Sequence, residues 1–305
     1  MLTPYDQNAV IDFDGVSALA DFYLEAGAKG LFANCQSSEM YHLSEEERLA
    51  LTRRVVKHAA GRVPVVAAGS FGASVEDKAE FAKKIYHAGA DAVILITGEY
   101  AGSEDDDELF LRNMERMLKL TDNIPLGLYE CPVPYKRVLS PAVLGALLKS
   151  NRFVYYKDTS RSTDAVKDKI KVIEQSSDGR FEFYDAHSPH AAASLQAGAK
   201  GLSSIAGNFY PEIMVWMCDH ATDPSKHEQV RWLQDEISKA DPIIHEAYPM
   251  SAKYFLKKRG LPIHTVSRTH VQQLTSEQKS ALDKLHEKFL GWRDKLSIAP
   301  VLDAL

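Results

Sequence analysis

Three places along the chain carry residue types that could do covalent chemistry on a carbonyl: Lys157, Tyr129 and the turn Gln36-Ser37-Ser38. Lys157 closes an apolar run, Phe153-Val154-Tyr155-Tyr156-Lys157, with Phe153 and Tyr155 expected on its face. A lysine held in a low-dielectric mouth loses hydration, which lowers its pKa and frees the amine to attack a carbonyl. A lysine ending a strand more often simply snorkels to water, so position alone does not decide. Tyr129 ends the preceding run, Pro125-Leu126-Gly127-Leu128-Tyr129. Its hydroxyl could shuttle the proton that moves during imine formation; a lone tyrosine is more often a buried ring with a satisfied hydroxyl. Gln36, Ser37 and Ser38 offer hydroxyls and backbone N–H groups to a carboxylate, although polar turns after strands are ordinary.

Positioning such residues requires elements that end together. Short apolar runs alternate with amphipathic segments over the first 220 residues or so. The runs begin at Gly30, Val63, Ala90, Pro125, Phe153, Phe181 and Gly201. Their uniform hydrophobicity fits parallel strands covered on both faces. Helices are expected after each: from Ser44, where Ser44-Glu45-Glu46-Glu47 reads as a capping box, then Ser74–His87, Asp106–Leu120 and one opened by Ser140-Pro141. Further helices are expected over Ser162–Gln175, Pro189–Ala197 and Pro211–Ala221. An eighth strand near Leu2 would complete a (β/α)8 TIM barrel, whose functional groups gather at the C-terminal strand ends. Helices over Lys226–Ala240, Ile244–Lys258 and Ser276–Asp294 form a C-terminal three-helix extension. The expected organisation is a catalytic barrel over residues 1–223 and a helical extension over 224–305 packed on it. A doubly wound sheet is disfavoured because no Gly-x-Gly-x-x-Gly follows an early strand.

Composition narrows the classes. The chain has 305 residues, 45% hydrophobic and 26% charged, with a formal net charge of −6. That charge gives no footprint for nucleic acid or an anionic membrane, and no apolar run approaches the roughly 18 residues that span a bilayer. Cys35, Cys131 and Cys218 are too few and scattered for a disulfide framework, so a reduced cytoplasmic location is expected. His187-Ser188-Pro189-His190 lacks a companion ligand cluster and reads as a helix start. The acidic run Glu104–Glu108 suits a helix N-terminus better than a cation, and Gly69-Ser70-Phe71-Gly72 is a turn rather than a P-loop. No metal or organic cofactor is expected.

The order of motifs resembles the dihydrodipicolinate synthase / N-acetylneuraminate lyase family over nearly the whole chain. The resemblance is carried by Leu2-Thr3-Pro4-Tyr5, Ser37-Ser38-Glu39 before Leu43-Ser44-Glu45-Glu46-Glu47-Arg48, and Val65-Val66-Ala67-Ala68-Gly69. It continues through Ala88-Gly89-Ala90-Asp91-Ala92, Leu128-Tyr129-x-x-Pro132 and Tyr156-Lys157-Asp158. It implies a barrel enzyme, a homotetramer or homodimer, that binds pyruvate or another 2-oxo acid as an imine and in some cases an aldehyde. By that resemblance Lys157 is the Schiff-base lysine, Tyr129 the relay tyrosine, and Ser37 the second hydroxyl of a Gly-Thr-Thr-Gly-Glu motif, with Gln36 at its first Thr. Tyr100 matches a tyrosine that some members lend across a dimer interface. Thr159 and Ser203 join Gln36, Ser37 and Ser38 as substrate-binding candidates.

The departures are specific. The glycine-flanked motif becomes Cys35-Gln36-Ser37-Ser38-Glu39, and Tyr-Asn-x-Pro-x-Arg becomes Tyr129-Glu130-Cys131-Pro132-Val133-Pro134. The arginine for a second carboxylate is missing, and Lys136 or Arg137 would replace it only after a loop shift. Ala186 and Ser203 stand where synthases carry Gly and Ile, while Thr159 matches sugar-acid members. The chain starts close to Thr-Pro, so either a short first strand or an incomplete start is expected. These changes argue against lysine biosynthesis, and the expected function is a Schiff-base-forming lyase or aldolase acting on pyruvate or another 2-oxo acid, a class that includes sugar-acid aldolases and dehydratases. The alternatives are a synthase with an atypical site, a non-catalytic 2-oxo-acid binder, and a metal-dependent aldolase on the same barrel.

Overall fold

The structure, a computed structural model, describes all residues except 177–178, 270–272 and 303–305. The chain forms two compact units. One comprises Met1–Pro64, Ser188–Ala192 and Ser204–Leu305; the other comprises Val65–His187 and Ala193–Ser203.

The first unit contains strand β1 (Leu31–Phe32) and helices Phe13–Glu25, Glu45–Ala59, Pro211–His220, His227–His245, Met250–Lys258 and Ser276–Leu296. Ser44 and Glu47 form the expected capping box. The helix Phe13–Glu25 has no counterpart in the sequence expectation. Asp12 caps it by accepting from the Asp14 and Gly15 amides, and Val16, Leu19, Ala20 and Tyr23 form its buried stripe. Phe209, Tyr210, Phe255, Phe289 and Trp292 build an aromatic core. The fully buried Arg259 guanidinium lies 4.8 Å from the Phe22 ring centre and 4.5 Å from that of Phe289, paired with Glu212.

Two expectations for this unit change. No strand forms at Leu2: residues 1–4 join no ladder, and the nearby pairing is a single antiparallel bridge, Tyr5 with Ile11. Pro4 has no N–H to give a ladder, and the segment is fixed by other means. The Met1 amine donates to the Phe32 carbonyl at 2.8 Å, and Thr3 Oγ1 to that of Ser38 at 2.7 Å. The second change is in the tail, where the helix expected to stop at Ala240 runs through Pro242 to His245. Ile237, Ala240 and Ile244 share one buried stripe, which outweighs the backbone bond that proline removes.

The second unit holds β2 (Val65–Ala68), β3 (Ala92–Ile96), β4 (Leu126–Tyr129), β5 (Phe153–Asp158), β6 (Glu182–Asp185) and β7 (Gly201–Leu202). All are parallel and adjacent in chain order, the arrangement of a (β/α) barrel rather than of a doubly wound sheet, where the order reverses. Helices Val75–His87, Asp107–Leu120, Pro141–Leu148 and Thr163–Ser176 alternate with them. Ser140 caps its helix as expected, and Ser74 and Asp106, expected as the first residues of theirs, are the caps of two others. Every residue of β3 is buried, as a strand covered on both faces must be.

Side chains paired laterally in parallel strands share a face, so the registers define rows. One row runs Ile96, Tyr129, Lys157, Tyr184 and Gly201. The row before it on that face is Ile94, Gly127, Tyr155 and Glu182. The other face carries Leu128, Tyr156 and Phe183. A register shift between Leu126 and Gly127 pairs Phe153 with Leu126. Phe153 therefore lies on the face opposite Lys157, contrary to the simple alternation expected from sequence.

Candidate active site

Tyr129 and Lys157 are direct lateral partners near the C-terminal ends of β4 and β5. The Lys157 amine lies 4.7 Å from the centre of the Tyr129 ring. Tyr129 is buried and Lys157 half-buried. An amine held over the ring of a phenol, partly withdrawn from water, is a suitable start for carbonyl attack with a proton carrier at hand.

The floor beneath the pair is aromatic and hydroxylated. Gly127 has no side chain where a Cβ would meet the Ile94 Cδ1 at 2.4 Å and the Tyr155 Cβ at 2.9 Å, so only glycine admits the Tyr155 ring here. That ring stacks on Tyr184 with centres 4.9 Å apart, and its hydroxyl lies 3.1 Å from Ser203 Oγ. Ser203 follows β7 and is pinned by its amide donating to the Asp185 carbonyl at 2.8 Å. Ser203 thus joins the Lys157 face through Tyr155, which sequence reasoning had placed there without a role.

Thr159, two residues past Lys157, turns its hydroxyl to the Glu130 carbonyl at 2.6 Å, and its amide donates to Glu130 Oε2 at 2.9 Å. Its own carbonyl accepts from the exposed Lys136 at 2.8 Å. Arg137 is engaged elsewhere: it pairs with Asp107 at 2.9 Å and donates to the Asp105 carbonyl at 2.6 Å. Tyr135 donates to the Ala101 carbonyl at 2.6 Å, so the segments 97–107 and 130–139 are clamped together. Tyr100 is buried with its hydroxyl 3.3 Å from Ser70 Oγ, and burial raises its phenol well above the usual value. A role at a subunit boundary would require that ring to leave its present position.

Next to the Tyr129–Lys157 pair lies a buried charge cluster that sequence reasoning missed. Lys169 Nζ lies 2.6 Å from Glu130 Oε1 and 2.6 Å from Asp158 Oδ2. The Tyr156 hydroxyl also donates to Glu130, and Ser160 donates to Asp158 through both amide and hydroxyl. Burial, then repulsion from Asp158, raises the Glu130 carboxyl above its usual range despite Lys169. The signal was present: Lys169 sits on the stripe Val166, Ile170 and Ile173, where a lysine needs a partner.

Gln36, Ser37 and Ser38 lie in the other unit and form a 3-10 turn after β1. Ser38 is fully buried and its hydroxyl serves the turn, 2.8 Å from the Ala33 carbonyl and 3.0 Å from the Cys35 amide that donates to it. Glu39, at φ 60°, accepts from Lys253 at 2.7 Å, Ser267 at 2.9 Å and the Arg268 amide at 2.6 Å. Ser37 is half-buried and hydrogen-bonded to Tyr248, whose hydroxyl accepts from Asn208 Nδ2 at 2.7 Å. Tyr23 in turn donates to Asn208 Oδ1 at 2.6 Å. Tyr248 and Asn208 carried no recognisable signal in the sequence. Among the described residues, no group of three His, Cys, Asp or Glu is arranged for a metal ion, and no helix is long and apolar enough to cross a membrane. The acidic run is a helix start, with Asp106 accepting from the Leu109 amide at 2.8 Å.

The sequence model of the dihydrodipicolinate synthetase family matches residues 1–288. The chain belongs to the dihydrodipicolinate synthetase family. Membership makes it a lyase-class enzyme on a TIM-barrel fold. A 4-hydroxy-tetrahydrodipicolinate synthase from Pseudomonas syringae pv. syringae (strain B728a) is 28% identical over 267 residues, covering 86% of this chain and 87% of that protein. Among solved structures, YagE, a prophage protein of the dihydrodipicolinic acid synthase family from E. coli K12 in complex with pyruvate, gives a TM-score of 0.82 at 22% identity. The alignment covers 98% of this chain and 97% of YagE. The chloride-inhibited dihydrodipicolinate synthase from Acinetobacter baumannii complexed with pyruvate gives 0.79 at 23% identity, over 98% and 97% of the two chains. At these identities the two structures speak for the fold, and the family assignment rests on the match to residues 1–288.

Proposed function

We propose that this family member forms an imine between Lys157 and pyruvate or another 2-oxo acid, and cleaves, joins or dehydrates a hydroxylated substrate through it. The observation that carries this reading is the Tyr129–Lys157 pair, in direct register with the amine 4.7 Å from the ring centre. The Lys157 amine attacks C2, Tyr129 carries protons through the carbinolamine, and water leaves to give the iminium. The iminium accepts the electron pair released at C3, so retro-aldol cleavage, aldol addition or loss of a hydroxyl becomes accessible. Protonation at C3 and hydrolysis return the amine. The family resemblance assigns the substrate carboxylate to Ser37, with Gln36 and the backbone of its turn. No metal or organic cofactor takes part, because the imine is itself the electron sink.

The pyruvate complexes of YagE and of the Acinetobacter enzyme support the choice of a 2-oxo acid. A hydroxylated sugar-acid substrate is favoured over a dicarboxylic one by two features. Tyr155 and Ser203 bring hydroxyls to the Lys157 face, and Arg137 is held by Asp107 and the Asp105 carbonyl instead of facing a substrate. In this reading residues 1–223 form the catalytic barrel and 224–305 its helical extension, in a cytoplasmic homodimer or homotetramer. Tyr100 would contribute to the relay only from a rearranged interface.

Borohydride reduction in the presence of pyruvate, followed by mass analysis of the Lys157 peptide, tests the proposal. The expected result is a stable adduct on Lys157. Absence of an adduct with pyruvate and a panel of sugar-derived 2-oxo acids would refute it. A trapped imine with no turnover across that panel would instead support a non-catalytic binder.

A further inference from the structure

Glu130 immediately follows Tyr129, and Asp158 immediately follows Lys157. Both carboxylates converge on the Lys169 ammonium, 2.6 Å from each, and all three side chains are at most 1% exposed. Lys169 belongs to the helix Thr163–Ser176, which follows β5, so one ammonium ties the ends of two neighbouring strands to the helix behind them. Glu130 does more than pair with it. Its Oε1 also accepts from the Leu139 amide at 2.9 Å and from the Tyr156 hydroxyl, while Oε2 accepts from the Thr159 amide at 2.9 Å. The Glu130 amide donates to the Lys157 carbonyl at 3.2 Å. One carboxylate therefore touches the far end of the 130–139 segment, the strand carrying Lys157, the residue two past it and the helix behind.

We propose that Glu130, held by Lys169, is the positioning residue that keeps Tyr129 against the Lys157 amine and couples that pair to the 130–139 segment. This rests on the imine reading given above. A helical lysine could be paired at the surface for a small cost; burying it against two acids is repaid only by close geometry and further hydrogen bonds, which hold both carboxylates in one place here. Such fixing matters to a reacting pair, because a displacement of about 1 Å can slow a step by roughly 10²-fold. An amide in place of Glu130 keeps the shape but cannot accept from all four donors, since one of its two polar atoms donates.

The test is the rate of borohydride-trapped imine formation with pyruvate, measured on the full chain for the wild type, Glu130→Gln, Lys169→Arg and Tyr156→Phe. Glu130→Gln should trap about 10–10²-fold more slowly at saturation, while the pyruvate concentration for half-maximal rate stays nearly constant. Lys169→Arg keeps the charge and should retain most of the rate. Tyr156→Phe removes one donor to Glu130 and should slow trapping less, in the same direction, which keeps the idea testable if Glu130→Gln does not fold. A purely structural role would lower the thermal midpoint and leave the trapping rate per folded molecule unchanged; that result in both variants overturns the proposal. If the wild type itself forms no adduct, the imine reading falls and this inference falls with it.

Discussion

Replacing Lys169 by methionine should destabilise the protein strongly at neutral pH and much less in acid. The wild-type arrangement balances two buried carboxylates with one ammonium. Methionine has about the volume of the lysine stem, so little cavity is created and the main loss is the charge. Breaking a buried pair by removing one partner costs about 3–5 kcal/mol, because the remaining ion is left without compensation. Here two acids lose the same cation, so the upper end of that range is expected. The acids have one way of relieving the cost, which is to bind a proton. Glu130 is the better placed of the two, since burial and Asp158 already raise its pKa in the wild type.

The sign follows from linkage. A carboxyl whose folded pKa is raised above its unfolded value adds stability that is fully present below the unfolded pKa, near 4.5 for Glu130, and is lost as pH rises through the folded value. Without Lys169 the folded value rises further, so the window of loss moves toward neutrality. Urea unfolding followed by circular dichroism at a series of pH values should show a wild-type-to-variant gap that widens from acid to neutral pH. A constant gap would mean that packing rather than charge dominates. A gap below about 1 kcal/mol at neutral pH, the scale of an exposed pair, would refute the buried-triad account outright.

Three other expectations follow from the site geometry. Tyr129→Phe should lower kcat by about 10²–10⁴-fold, the range for loss of a proton carrier, with KM for the 2-oxo acid nearly unchanged; equal losses in both would assign the hydroxyl to binding. Gly127→Ala should cost about 1–3 kcal/mol and reduce activity, because the new methyl must displace Tyr155 or Ile94; a variant with the wild-type melting curve and activity would contradict the close approach seen there. Arg137→Met should leave the carbonyl of Asp105 and the carboxylate of Asp107 without their donor, lowering stability by about 1–3 kcal/mol and opening the 101–107 segment to limited proteolysis; unchanged cleavage kinetics would argue against the clamp.

What could be read from the sequence was whatever local physics determines. Ser44 and Ser140 announce their helices through hydrogen bonds made within one turn, and each caps the helix expected of it; Ser74 and Asp106, expected as first helical residues, cap theirs one position earlier than the helix starts. Tyr129 and Lys157 could be assigned to neighbouring strand ends because parallel strands in chain order put successive C-termini side by side. The failures occur where a distant contact overrides a local pattern. Alternation put Phe153 on the Lys157 face, but a register shift against Leu126, invisible in β5 alone, moved it to the other. The helix expected to end at Ala240 runs on through Pro242, because Ile244 continues a buried stripe that only tertiary packing reveals. The helix Phe13–Glu25 went unread although Asp12 and its stripe satisfied the same rules.

The buried triad is the more instructive omission. Glu130 was noticed only as a departure from a family pattern, and Lys169 only as part of an amphipathic helix. Each is unremarkable alone, and the two are 39 positions apart. Their meaning comes from a joint constraint: a lysine on an apolar stripe must find an acid, and an acid at a strand end must find a cation. Carried to its conclusion, that constraint points to Glu130 and Asp158, because Glu130 follows β4 and Asp158 ends β5, the strand that precedes the helix carrying Lys169. A departure from a family motif beside a candidate relay tyrosine is thus better treated as half of a pair whose other half has yet to be located.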